Sequence, residues 1–215
     1  MGNDATGPER RAALVAKRES EILLVARRVF ARYGYRRTQI DRVANALKVG
    51  KGTVYRYFGS KKKLFLAVAD AAVKEVGEEI FRKTAGEQNP LNKIEAAVRA
   101  QLECIDKDPD IVEVLLVERA EFRNEFKPTY LVYRDANLEH LENDLRLAIE
   151  QGLMRPMNVT LAANMICDLV YGVIMVAYMR KERRVRDVAD GVVDTLFNGL
   201  LTAAGQEARR KRGRV

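Results

Sequence analysis

Residues 19–66, ESEILLVARRVFARYGYRRTQIDRVANALKVGKGTVYRYFGSKKKLFL, constrain this chain more than any other stretch. Apolar residues recur there at helical spacing in short blocks separated by turn signals, which predicts three short helices and a fourth starting at Lys61. In the first, about 19–32, Ile22, Ala26, Val29, Phe30 and Tyr33 form one core-facing stripe, and Gly34 ends the helix. Thr38 then offers an N-cap, with Asp41 three residues on as a capping-box variant. Ile40, Val43, Ala44 and Leu47 make the inner face of the second helix. After a turn at 47–50, the third helix, about 51–57, must turn Val54 and Phe58 inward. At 100° per residue Gly52 and Arg56 then project outward, with Thr53 and Tyr55 on the flanks. Ser60 can cap the fourth. The exposed polar face of this unit is basic, the footprint of a helix-turn-helix that binds DNA.

Charge separates this head from the rest of the chain. The first 63 residues carry 16 Lys/Arg against 5 Asp/Glu, a net of +11, whereas 64–208 carry 17 against 25, a net of −8. Five more basic residues close the chain in ARRKRGRV. A basic head on an acidic body points to a polyanion bound at one end. The remaining segments are helical in pattern, at about 91–105, 110–126, 129–150, 159–180 and 187–204, between turn signals such as AGEQNP and QGLMRP. No segment shows strand alternation, so the expected class is all-α. The expected division is a flexible basic extension over 1–17, although RRAALVAKR could lengthen the first helix, then a DNA-binding domain over 18–64, a helical effector-binding and dimerisation domain over 65–207, and a basic tail over 208–215. Cys104 and Cys167, both in apolar helical patterns, suit a reducing compartment. The N-terminal residues lack a signal-peptide pattern, and the longest apolar run, 169–179, is too short to span a bilayer. The expectation is a cytoplasmic protein without a membrane partner.

A helix seated in the major groove needs slender residues for close approach and donors that reach base edges. Gly52 and Thr53 supply the first, and Arg56 a bidentate donor suited to guanine. Tyr55, Tyr57 and Lys51 can bond phosphates; Lys61 and Lys62 sit at a helix N-terminus, where a phosphate is already favoured. Thr38 is a further expected phosphate contact, and Lys48 in the turn another.

These residues also carry a resemblance. GYRRTQIDRVANALKVGKGTVYRYFGSKKKLF is similar to the DNA-binding domain of the TetR family of bacterial transcriptional regulators. Gly34, Tyr35, Thr38, Val43, Ala44, Lys51, Gly52, Thr53, Val54, Tyr55, Phe58, Ser60, Lys61 and Leu64 match the family pattern in register. Two departures stand in the turn: Lys48 where Gly is frequent, and Gly50 where the recognition helix is often capped by Ser. The resemblance implies a homodimer built from the last two long helices, and the residues agree: Ala162, Met165, Ile166, Leu169, Val173, Val176 and Ala177 form a broad apolar face, as do Val188, Val192, Val193, Leu196 and Leu200. It also implies an effector site in the middle helices. Glu118 and Arg134 fall on core stripes, so they either pair internally or line a ligand cavity, with Tyr171 a third candidate.

Enzyme chemistry finds no support in the pattern. His140 is the sole histidine and has no nucleophile with an orienting acid near it, no His/Cys cluster has metal-ligand spacing, and no cofactor is implied. The expected function is a repressor that binds a palindromic DNA operator as a homodimer and is released by a small, mostly apolar effector. The rival is a helical binding module whose basic head holds DNA loosely and without sequence preference.

Overall fold

The computed structural model describes residues 7–180 and 185–200. They form nine α-helices and one 3₁₀ turn: α1 Gly7–Arg37, α2 Ile40–Ala46, α3 Lys51–Phe58, α4 Lys61–Thr84, α5 Pro90–Lys107, α6 Asp110–Phe122, α7 Thr129–Glu150, α8 Val159–Arg180, the 3₁₀ turn Val185–Val188, and α9 Ala189–Asn198. No strand occurs among the described residues, and the fold is all-α.

Two compact units divide the chain, one of residues 1–78 and 108–136, the other of residues 79–107 and 137–215. One core cluster of the first joins α1, α2, α3, α4 and α6. Ile22, Ala26 and Phe30 of α1 meet Val43 and Ala44 of α2, Val54 of α3, and Leu64, Phe65 and Val68 of α4. Val114 and Phe122 of α6 complete it, so α6 shares the hydrophobic interior of the first four helices. Aromatic rings seal this junction: Tyr35 packs edge-on against Phe65 at 5.2 Å and Phe122 at 5.0 Å between centroids. Arg27, nearly fully buried, ties α1 to Glu75 at 2.8 Å and to Asp108 at 2.6 Å. In the second unit Ile94, Leu145 and Ala163 form a core cluster, with Leu138, Leu141, Ile166 and Phe197 packed around it.

Three expectations are corrected. Residues 7–17 are helical, so RRAALVAKR lengthens the first helix and is not a flexible extension. Every residue from Glu9 to Arg18 tolerates a helix, Glu9 lies in the first turn, Arg18 pairs with Glu21 at 2.6 Å, and Ser20 donates to the Ala16 carbonyl. Gly34 does break α1, at φ +73°, although helical residues resume to Arg37. The last helix is shorter than expected. Gly199 takes φ +70° as the C-cap of α9, while expected helical residues 201–204 and the basic tail lie outside the described residues.

The third correction concerns α8. Apolar run length understated it: the whole helix Val159–Arg180 is long and apolar enough, by length and composition, to cross a membrane. Only 17% of its most apolar stretch is buried. One face packs inward through Ala163, Val170 and Ile174. Met165, Leu169, Val176 and Met179 are exposed, and with Gly172 they lie at i, i+4, i+7, i+11 and i+14, a single helical stripe. Beside it an open cavity of about 380 Å³ is lined by Leu169, Val173, Val188, Gly191 and Val192.

Candidate nucleic-acid interface

The third helix stands where the pattern requires. Gly50 is its N-cap in extended conformation, and the Thr53 N–H donates to the Gly50 carbonyl at 2.9 Å. Val54 is fully buried and Phe58 packs on the core, which leaves Gly52, Tyr55 and Arg56 exposed on one surface. Thr53 and Tyr57 are half-buried at its edges. The Arg56 guanidinium lies 5.7 Å from the Tyr57 ring, and the Lys51 ammonium 6.0 Å from that of Tyr55. Gly52 is informative because a Cβ added there would meet no atom within 4 Å. Glycine inside a helix costs about 1 kcal/mol relative to alanine, and nothing in this chain's packing calls for it. The space it leaves is open to something outside the chain.

The turn before this helix departs from the usual solution. Lys48 is exposed and holds φ +55°, a left-handed conformation that costs a Cβ-bearing residue about 1–2 kcal/mol. Lys48→Gly is therefore expected to raise stability by about 1 kcal/mol in thermal unfolding, after the entropy glycine adds to the unfolded chain. An unchanged or lower midpoint would contradict this.

The cations around the helix are mostly engaged by their own chain. Lys51 pairs with Asp41 at 2.9 Å, an interaction that lowers the Asp41 carboxyl pKa and raises that of Lys51. Lys61 donates to the carbonyls of Thr38 at 3.0 Å and Arg36 at 3.3 Å, and its ammonium stands 4.5 Å from the Tyr35 ring. It fastens the α1–α2 turn. Lys62 pairs with Glu125 and rests 5.3 Å from the Phe122 ring. Arg36 pairs with Glu121 at 2.8 Å, which raises the guanidinium's pKa. Ser60 caps α4 as expected, its hydroxyl accepting from the Lys63 N–H at 3.1 Å.

Thr38 does not fulfil its expected role. The N-cap of α2 is Gln39, with no side-chain cap bond. Thr38 is 1% exposed, and its hydroxyl donates inward to the Gly34 carbonyl at 2.7 Å, so it fixes the glycine kink and turns no donor to the surface. Other basic residues, which the sequence pattern does not single out, join this surface: Arg28 and Arg32, one turn apart on α1, and Arg42 on α2, all exposed. The four-residue spacing of Arg28, Arg32 and Arg36 was the available signal.

Of the expected effector residues, Glu118 and Arg134 belong to one unit and Tyr171 to the other. Glu118 is 1% exposed, and Thr129 at the start of α7 answers it through its N–H, at 3.2 Å, and its hydroxyl. A buried carboxylate there is stabilised by the helix N-terminus it caps. Arg134 approaches Asp135 at 3.6 Å. Tyr171, exposed on α8, belongs to the other unit. His140 is exposed, and no group of His, Cys, Asp or Glu suited to a metal occurs among the described residues.

A short capped helix with an open glycine, an outward arginine and a flanking tyrosine, set behind a tight turn on a three-helix core, defines a helix-turn-helix DNA-binding protein. Residues 22–68 match the sequence profile of the bacterial regulatory proteins of the tetR family. Over that segment the chain is similar to helix-turn-helix transcriptional regulators of bacteria. It is 24% identical over 200 residues to the HTH-type transcriptional regulator HbdR of Aromatoleum sp. (strain CIB), covering 92% of this chain and 87% of the relative. It is 28% identical over 135 residues to the HTH-type transcriptional repressor AcnR of Corynebacterium diphtheriae, 62% of this chain and 68% of that one. Among solved structures, FadR of Bacillus subtilis in complex with stearoyl-CoA shares the fold, with a TM-score of 0.69, 19% identity, and coverage of 85% of this chain and 99% of that chain.

Proposed function

We propose that the protein is a cytoplasmic repressor that binds a palindromic operator as a homodimer and leaves it when a small, mostly apolar ligand occupies the second unit. The observation that carries the DNA half is the outward face of α3, where Gly52 leaves room for a base edge and Tyr55 and Arg56 supply donors. Lys48, Lys51, Thr53, Tyr57, Lys61 and Lys62 frame that face and would hold phosphates, Lys51 and Lys62 after exchanging a carboxylate for a phosphate. The dimer half rests on the exposed α8 stripe, an apolar surface that a second copy would cover by a two-fold contact. Two recognition helices would then enter successive major grooves about one helical turn apart. Ligand control is thermodynamic: an effector that favours a conformer with the wrong helix spacing weakens DNA binding, and DNA weakens the effector reciprocally.

Acyl-CoA thioesters are the first effectors to test, since FadR of Bacillus subtilis was solved with stearoyl-CoA and this chain shares its fold. Glu118, Arg134 and Tyr171 remain the residues proposed to respond to the ligand. The test is anisotropy of a bound duplex titrated with stearoyl-CoA, beside a reporter promoter carrying the same duplex. Release of the duplex and derepression support the whole reading. Sequence-specific binding with activation of the promoter would overturn the repressor assignment.

The carboxylates that hold Arg36 and Lys62 should also set affinity. Glu121→Gln with Glu125→Gln is expected to tighten binding to random duplex several-fold and to steepen its salt dependence, because two exposed cations are released to phosphates. Unchanged affinity and slope would show that those pairs do not compete with DNA.

A further inference from the structure

We infer that the groove between α1 and α2, lined by Arg28, Arg32, Tyr33, Arg42 and Asn45, binds backbone phosphates of duplex DNA beside the segment read by α3. It is an open cavity of about 390 Å³ with no carboxylate in its lining. Arg28, Arg32 and Arg42 contrast with Arg36, Lys51 and Lys62: among the described residues none of the three has a carboxylate within 4 Å, although Asp110 lies within electrostatic reach of Arg28. Three guanidinium groups around one groove repel each other unless an anion enters.

Tyr33 organises them. The Arg42 guanidinium lies 4.4 Å from the centre of its ring and that of Arg32 5.4 Å. A guanidinium stacked on an aromatic ring keeps its N–H edge free and loses little further freedom on binding, which suits bidentate capture of a phosphate. Asn45 adds an amide donor on the same wall.

Position selects DNA as the source of that phosphate. In a helix-turn-helix the first helix crosses the backbone while the second enters the groove. Here α2 is the first, and its Asp41 reaches Lys51 at the start of α3. The next residue, Arg42, opens onto the α1 side. One turn of α2 therefore borders the recognition helix and this groove together, and the groove continues the basic surface toward flanking phosphates.

The inference rests on the DNA-binding reading of this unit, and the test separates the two. The full-length protein and its Arg32→Gln/Arg42→Gln variant are titrated with a selected duplex and with a random one over a range of salt. Loss of one or two phosphate contacts lowers the slope of log K against log salt by about 1–2 and weakens both duplexes about equally, with sequence preference intact. Arg32→Lys/Arg42→Lys should retain most of the slope, whereas Arg56→Ala should erase the preference. An unchanged slope in the glutamine variant would overturn the inference. So would a groove that bound inorganic phosphate, lost it in the variant, and left duplex binding untouched. Failure of every duplex to be preferred would count against the operator reading alone, because the slope on random duplex still reports on the groove.

Discussion

Leu169→Asp with Val176→Asp is expected to turn a dimer into a monomer and to cut operator affinity by at least a hundredfold. Both residues lie on the exposed stripe of α8 with Met165 and Met179, whose side chains are 63% and 67% exposed in the single chain. Covering such half-exposed apolar side chains yields about 1 kcal/mol each, and a second copy doubles the gain. Two aspartates in that contact would be buried without partners, at several kcal/mol each, while each chain alone keeps them in water. The inward face through Ala163, Val170 and Ile174 is untouched, so helicity and unfolding midpoint should change little. Light scattering reads the mass, and anisotropy on the operator reads the lost half-site. A variant that stayed dimeric would place the interface elsewhere. A wild-type protein that partitioned into membranes would mean that lipid, not a second copy, covers α8.

Gly77→Ala is expected to destabilise the protein by about 2–3 kcal/mol, although alanine at an open helical site should stabilise it by about 1. Gly77 lies inside α4, and a Cβ there would stand 1.3 Å from Tyr133 Oη and 2.4 Å from its Cζ. The ring of α7 thus rests directly on the α4 backbone, in an environment that raises the phenol pKa chiefly by burial. Neither side can yield cheaply, because one is backbone and the other a half-buried ring. Tyr133→Ala alone should also cost stability, through lost packing. The double variant should be less damaged than the sum of the two by about 2 kcal/mol, since each substitution removes the other's clash or void. Additive losses would show that the contact is not what demands glycine.

Much of this was legible from residue spacing alone. The helical class, the order of elements and the α3 face follow from apolar periodicity, and the caps of α3 and α4 from Gly50 and Ser60. What spacing hid were partners distant in sequence. Thr38 and Asp41 read as a capping box, yet the kink at Gly34 presents a nearer acceptor and draws the hydroxyl inward. Glu118 sits on a core stripe, and only the fold shows that the N-terminus of α7 meets it through Thr129. Arg28, Arg32 and Arg42 become one groove only when α2 folds back along α1. The left-handed Lys48 was marked as a departure from glycine, but its strain appears only in the backbone angle.

Selection of random duplex DNA on the full-length protein, with the affinities of the enriched sequences followed against salt, shows whether the protein reads sequence as a dimer. The expected result is an inverted repeat bound by a dimer, preferred over random DNA by about a thousandfold or more, with the preference abolished by Tyr55→Ala plus Arg56→Ala. No enrichment, with binding that only fades as salt rises, would contradict it and reduce the basic head to an unspecific polyanion surface.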